Sequence, residues 1–353
     1  MVNNSLGAMP ATVRDSLAEF ADRWEVRGVD SWGSDWFPEV RRVADLLGSL
    51  IGAPAGSVVV HQNVAALTSM VLSALDFSDP RNKVVVTDAE WPSHGYLLEA
   101  HRSLGANVEV IPTDGVVVDT ERLLAVIDER TLLVPVSHVL FRSAFINDVA
   151  AITRRAHDVG ALVLVDGYHA VGHMPVDAID CDFYVGGSVK RLCGGPGVGY
   201  LYIRPDRQAQ LRPREVGWVG HARPFGFETA WEPASGAMGW LGGTPAMPAL
   251  YAAREGYEVI RQVGPDRIRA TSQLLTTRLV EGAGERGVTV NTPLDPRQRA
   301  GTVSLDLGDD TEMASRRLID AGIVIDYRPR AGIRVGPHFF NTIDECDALL
   351  AAL

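Results

Sequence analysis

The chain has 353 residues, 46% of them hydrophobic and 22% charged, and its 33 Lys and Arg against 44 Asp and Glu give a formal net charge of −11. At roughly 150 residues per domain this amounts to about two domains with room for a large core. Wholesale disorder is excluded by the composition, and nucleic acid is disfavoured as a partner, because phosphate backbones need clustered positive charge.

No apolar run approaches the ~18 residues that a membrane span needs. The first residues, Met1-Val2-Asn3-Asn4-Ser5, lack the basic flank and apolar stretch of a secretory signal. Cys181, Cys193 and Cys346 are odd in number and lack metal-like spacing, so neither a disulfide framework nor a metal site is expected. A cytoplasmic enzyme is the expectation, and its 35 Gly and 20 Pro imply many tight loops.

From about residue 11 to 205, short β-branched runs recur at Ser57–Val60, Lys83–Thr87, Val108–Ile111, Leu132–Val136, Ala161–Val165, Asp182–Val185 and Val198–Ile203. Amphipathic stretches lie between most of them, at Glu39–Ile51, Thr68–Ala74, His94–Leu104 and Val149–Val159. Continuous apolar strands separated by helices predict βαβ units and a mainly parallel sheet, with ligands at the C-terminal strand ends. After Pro245 the pattern changes. Two helical stretches (Ala249–Gln262, Ile268–Glu281) precede short strands near Val288–Asn291 and Thr302–Leu307, a helix at Thr311–Ala321, strands near Ile323–Tyr327 and Gly332–Val335, and a last helix from Asp344. The expected division is a large domain over 1–245 and a small α+β domain over 246–353.

The informative segment is Leu162-Val163-Leu164-Val165-Asp166-Gly167-Tyr168-His169, an apolar strand that delivers an acid at its C-terminal end. Such a carboxylate is costly to bury unless it meets a cation; otherwise it is a loop or capping acid. The next strand runs Asp182-Phe183-Tyr184-Val185-Gly186-Gly187-Ser188-Val189-Lys190, with Gly194-Gly195-Pro196-Gly197 following at once. A lysine hemmed in by apolar and small residues has its pKa lowered by burial and becomes a Schiff-base former. A lysine imine and an aspartate against the pyridinium nitrogen are a protein's two main handles on pyridoxal 5'-phosphate (PLP). Asp166 and Lys190 stand in that order on successive strands.

The run from Asp166 to Tyr202 resembles the fold-type I PLP enzymes of the class V aminotransferase group, kynureninases above all. Asn3-Asn4-Ser5-Leu6-Gly7 is similar to the kynureninase N-terminal arm, and Trp91-Pro92-Ser93 to its aromatic-Pro-Ser loop. Gly217-Trp218-Val219-Gly220-His221 is similar to its Gly-Trp-x-Gly-His segment, and Ile333-Arg334-Val335 with Phe340-Asn341-Thr342 to its C-terminal arginine motif. The resemblance covers nearly the whole chain. It implies an α/β fold-type I architecture, with a mainly parallel seven-stranded sheet in the large domain, and a homodimer with shared active sites.

It also implies roles. Lys190 would carry PLP as a Schiff base and shuttle the α-proton, Asp166 would keep the pyridine nitrogen protonated, and His169 would sit beside the ring hydroxyl or the imine. Trp91 would stack on the ring. The phosphate would fall to Asn63, Val64 and Ala65 at a helix start, where N–H groups are free, and to Ser188. Thr244 would reach the phosphate of the neighbouring subunit, with Trp218 also in the cofactor shell. Arg334 would take the substrate carboxylate in a bidentate grip, with Arg328 and Arg330 as stand-ins. Asn4, His138, Arg142, Ser143 and His221 complete the candidate substrate site.

The pattern departs from kynureninases at three places. Val189 stands where they have a tyrosine before the lysine, His94 where an aspartate follows the aromatic-Pro-Ser loop, and Gly243-Thr244-Pro245 where they have Ser-Asn-Pro. No cysteine lies between Cys193 and Cys346, which disfavours the persulfide chemistry of cysteine desulfurases. The expected activity is side-chain (Cβ) bond cleavage of an aromatic or functionalised α-amino acid. Transamination or β-elimination, including C–S cleavage, is the alternative. A catalytically silent PLP-fold binding protein is set aside by the intact Asp166, His169, Lys190 and Arg334.

Overall fold

Seven short apolar runs pair into one sheet in the computed structural model, which describes residues 1–353. The strands are β1 (Val58–His61), β2 (Lys83–Thr87), β3 (Asn107–Ile111), β4 (Thr131–Ser137), β5 (Leu162–Asp166), β6 (Phe183–Gly187) and β7 (Gly199–Ile203). Their order is β1-β7-β6-β5-β4-β2-β3, and only β7 runs antiparallel to its neighbours. Residues 188–198, between β6 and β7, are too few for a helical crossover, so the chain must turn straight back. That turn carries Lys190. Strands β2, β6 and β7 are buried along their whole length, as a sheet covered on both faces requires.

The covering helices are α1 (Val13–Arg27), α2 (Phe37–Leu50), α3 (Val64–Ser73), α4 (Pro92–His101), α5 (Thr120–Val126), α6 (Val149–Asp158), α7 (Pro205–Gln210) and α8 (Met247–Val263). Asn63, Asp119 and Asp148 cap α3, α5 and α6, each side chain accepting from a first-turn N–H. Helix α1 has no counterpart among the expected elements, because it buries only Val13 and Ser16 and so shows almost no apolar stripe. No helix is long and apolar enough to cross a membrane.

Helix α9 (Pro265–Glu285) leads to a second sheet of β8 (Thr289–Val290), β9 (Val303–Asp306), β10 (Asp326–Arg328) and β11 (Gly332–Val335). It is antiparallel, in the order β10-β11-β9-β8. Helices α10 (Thr311–Asp320) and α11 (Ile343–Ala351) contribute to its core, α11 starting with a capping box of Thr342 and Glu345.

Packing moves the expected division at residue 246. Leu250, Tyr251, Tyr257, Ile260 and Ile268 belong to the first core, and the second core begins only at Leu275, inside α9. The N-terminal arm also changes sides. Val2 bridges Gly336, and the Asn3 N–H donates to the Gly336 carbonyl at 3.2 Å, so the arm lies on the small domain. Four residues further on, the Gly7 N–H donates to the Val189 carbonyl at 2.8 Å and ties that arm to the lysine turn.

The seam between the cores is close-packed around Arg191, whose guanidinium donates to the carbonyls of Pro337 and Gly301, both at 2.7 Å. A Cβ on Gly301 would lie 1.9 Å from Cε1 of the fully buried His173. The Gly301→Ala variant is therefore expected to lose about 1–3 kcal/mol of stability to overpacking. A urea midpoint equal to that of the parent chain would contradict this packing.

Candidate active site

Asp166 ends β5 beneath a cavity of about 410 Å³ at the C-terminal edge of the sheet. It is 6% exposed, and both its oxygens are engaged. Oδ1 accepts the Tyr168 N–H at 2.8 Å, and Oδ2 accepts from Nε2 of His94 at 3.0 Å. Lys190 enters the same cavity from the β6–β7 turn. Its Nζ lies 2.8 Å from Nε2 of His169, 4.5 Å from the centroid of the Tyr168 ring and 5.1 Å from that of Trp91.

Burial and the neighbouring Arg334 push the Lys190 amine down to about 7. Burial and the same lysine hold His169 well below its ordinary value, so its imidazole is neutral. A lysine that sheds its proton near pH 7 is a nucleophile at physiological pH. In the cofactor-free protein, modification of Lys190 by an amine-directed acylating reagent should rise through pH 7 and level off above pH 8. A rate still climbing at pH 10, read by peptide mass spectrometry, would show an ordinary lysine.

Asn63, Val64 and Ala65 all line the opposite end of the cavity. Asn63 spends its own Oδ1 on the Ala66 N–H at 2.9 Å, leaving other first-turn N–H groups of α3 without intrahelical partners. One turn along the same face, Thr68 lines the cavity with a buried Oγ1 that has no partner. Thr68 was missed from sequence, although its place four residues after Val64 puts it on the same helix face. An unpaired buried hydroxyl beside a helix N-terminus is a ready anion site, and it suits a phosphate.

Ser188 does not join this end. Its Oγ donates to the Val198 carbonyl at 3.0 Å and also meets the Tyr257 hydroxyl, so it fastens the lysine turn to β7 and α8. Trp218, His221 and Thr244 also lie outside the cavity. Trp218 Nε1 donates to Thr244 Oγ1 at 3.3 Å, and its ring packs edge-on against Phe37 and Phe225. His221 is held by the Ala230 carbonyl and the Arg223 N–H.

On the substrate side, Arg334 lines the cavity and is 2% exposed. Its Nε donates to Asp326 Oδ1 at 2.9 Å, a second nitrogen reaches Oδ2, another donates to the Phe141 carbonyl at 2.8 Å, and Ser5 Oγ accepts at 3.0 Å. The arginine is thus already paired with Asp326, a residue outside the expected set. Arg328 lines the mouth and also reaches Asp326, at 3.2 Å. From the N-terminal arm it is Ser5 that faces the cavity, while Asn4 is buried behind it and donates to Asp326 at 3.3 Å.

His138 is not at the cavity. Its ring is buried against Tyr184, with Nδ1 at 2.9 Å from the hydroxyl, and burial lowers it to about 4. Arg142 lies over the outer face of Phe141, its guanidinium 4.8 Å from the ring centroid, and Ser143 accepts from the Phe145 N–H inside its own turn. The missed wall residues are aromatic: Phe141 meets Trp91 edge-on at 5.0 Å, and Tyr168 lies against Gly187, where a Cβ would be 2.5 Å from its ring.

The family model described as "Aminotransferase class-V" matches residues 6–341. The chain belongs to the class V aminotransferase family. A kynureninase from Pseudomonas fluorescens is 31% identical over 348 residues, covering 94% of this chain and 82% of that protein. An uncharacterised aminotransferase, YcbU, from Bacillus subtilis (strain 168) is 30% identical over 319 residues, covering 89% and 83%.

Among solved structures, an apo cysteine desulfurase from Thermococcus onnurineus NA1 superposes with a TM-score of 0.88 at 23% identity, covering 99% of this chain and 92% of that one. The cystine C–S lyase C-DES gives 0.90 at 20% identity, covering 99% and 95%. These establish the fold-type I architecture. Membership of the class V family makes this a PLP-dependent enzyme, and the residues present fit the group. A strand-end carboxylate, a lysine of lowered basicity and the unpartnered Thr68 hydroxyl beside the α3 N-terminus surround one cavity.

Proposed function

We propose that this class V enzyme cleaves a side-chain bond at Cβ of an aromatic or functionalised α-amino acid, in the manner of a kynureninase. The observation that carries this reading is the aromatic cavity wall: the Trp91 and Tyr168 rings face the Lys190 amine, and Phe141 packs edge-on against Trp91. The identity to the Pseudomonas kynureninase over nearly the full chain supports it. Bound in this site, PLP supplies an electron sink for negative charge developing on the substrate.

The chain's own residues divide the remaining work. Asp166 would hold the pyridine nitrogen, the α3 N-terminus with Thr68 would hold the phosphate, and Trp91 would lie against the ring. Lys190, with a pKa near 7, takes and returns a proton on the reacting face, and neutral His169 beside it accepts or donates at Nε2. Arg334 presents its remaining donor to the substrate carboxylate, oriented by Asp326 and the Phe141 carbonyl.

Incubation with kynurenine and 3-hydroxykynurenine should release anthranilates and alanine. If both are inert, the reading falls to the class V alternatives, tested by pyruvate release from cysteine conjugates and by keto-acid-dependent amino transfer. The relation to the Bacillus aminotransferase favours keeping transfer in that panel. Persulfide chemistry has no thiol to use, since none of the three cysteines lines the cavity and all are buried. Buried free thiols also suit a cytoplasmic setting.

The working unit we propose is a homodimer. Trp218, Thr244 and the half-exposed to exposed Phe225 and Phe227 form an apolar patch away from their own cavity, which supports their completing a second subunit's site. A monomeric mass in light scattering would remove that part of the reading.

A further inference from the structure

His94 is the one imidazole in contact with the acid at the base of the cavity, and its placement is built into the chain. Helix α4 starts with Pro92 at its first position, and the His94 N–H returns to the Trp91 carbonyl at 2.9 Å, closing the turn that presents both Trp91 and His94 to the cavity. The His94 ring is 4% exposed, and its Nε2–H points at Asp166 Oδ2 at 3.0 Å. The second oxygen, Oδ1, is held by the Tyr168 N–H at 2.8 Å, so the carboxylate is clamped from two sides and cannot rotate.

The electrostatics agree. Burial alone would lower the His94 pKa, but the hydrogen bond and charge of Asp166, with Glu90 adding to them, overcome it and raise it. Glu90, on the preceding loop, is turned away to accept the Ser137 N–H at 2.7 Å and the Thr87 hydroxyl at 3.0 Å. A carboxylate at position 94 would instead set two acids against each other, and one of them would have to hold a proton.

We propose that His94 is a positioning residue for Asp166: its Nε2–H fixes the carboxylate plane, so that one defined edge remains for the pyridine nitrogen. This deepens the reading of the cavity as a PLP site and rests on it for its cofactor arm only. The interaction should be visible without any cofactor. Histidine resonances of the cofactor-free protein should show His94 titrating at least one pH unit lower in Asp166→Asn than in the parent chain. An unchanged His94 titration would overturn the proposal whether or not PLP binds.

The second arm compares His94→Phe, which removes the donor, with His94→Gln, which keeps an N–H at similar reach. His94→Phe is expected to raise the PLP dissociation constant at least tenfold and to move the absorbance band of the bound cofactor, and His94→Gln to restore most of both. Two equally impaired variants, or a His94→Phe protein that binds PLP as the parent does, would also overturn it. If the parent chain itself takes up no PLP, the functional reading fails while the cofactor-free titration still decides the His94–Asp166 pairing.

Discussion

Replacing Lys190 by methionine should abolish covalent PLP attachment and lower turnover by about 10³-fold or more, while leaving the protein folded. Borohydride reduction then fixes no cofactor mass on the peptide carrying residue 190. The stability side of this prediction has a sign. Burial depresses the Lys190 pKa from an ordinary 10.5 to about 7, so between those values the unfolded chain carries a proton that the folded chain lacks. Stability from this group therefore rises with pH across that window, and below pH 7 its full penalty is present.

Methionine fills a similar volume without that penalty. The variant should melt at the same temperature or higher near pH 6, with its advantage shrinking as the pH climbs toward 10.5. A large loss of stability at pH 6 would mean that Lys190 is held by favourable charge contacts that the described geometry lacks. Retained PLP fixation would place the Schiff-base lysine elsewhere, and Lys83, tied to Glu109 and Asp128 at the other end of β2, would then be the residue to examine.

Asp326→Ala should cost about 3–5 kcal/mol, the usual penalty for breaking one side of a buried ion pair. Asp326 accepts from Arg334, Asn4 and Ser5 and pairs with Arg328, so its loss strands a guanidinium that is 2% exposed and frees the N-terminal arm. Burial alone would raise the Asp326 pKa, but the Arg334 hydrogen bond and charge outweigh it and hold the carboxyl below its ordinary value.

The stability from that pairing is present above the ordinary carboxylate range and is lost as pH falls through the depressed value. The acid limb of the wild-type stability curve should consequently flatten in the variant. The double variant Asp326→Ala, Arg334→Met should recover much of the loss, because the larger part of it is the unpaired charge. Urea unfolding of the four proteins closes the cycle. If Asp326→Ala unfolds within about 1 kcal/mol of the parent, well short of that penalty, Arg334 is free to pair elsewhere and the description of the carboxylate end is wrong.

Much of the site was legible because the chemistry is local in the chain. Asp166, His169 and Lys190 lie at or just past the ends of two consecutive strands, so a continuous apolar run followed by a small-residue turn announces them before any folding is considered. Asn63 was readable for the same reason, as a capping residue directly after a strand. Ser188 and His138 stand just past strand ends, one or two residues from cavity-lining positions, yet their side chains pack elsewhere; only the packed neighbours Tyr257 and Tyr184 show where each one goes.

Asp326, Ser5 and Phe141 carry no local mark. Asp326 reaches Arg334 only because β10 and β11 pair in a register that sets the two residues opposite each other. Ser5 joins them because the N-terminal arm crosses to the small domain, more than three hundred residues along the chain.

By itself the sequence marked the candidate cofactor cage: the strand-end acid and the turn lysine through apolar runs ending in small residues, and the class V architecture through the resemblance its motif order carries. The tertiary structure decided what each cage member is paired with. It clamped Asp166 with His94, tied Arg334 to Asp326, drew α8 into the large core and left Trp218 and Thr244 facing away from their own cavity. Pairing of this kind depends on sheet register, strand face and helix packing, which arise between segments distant in the chain. Secondary structure and cofactor chemistry are written in neighbouring residues.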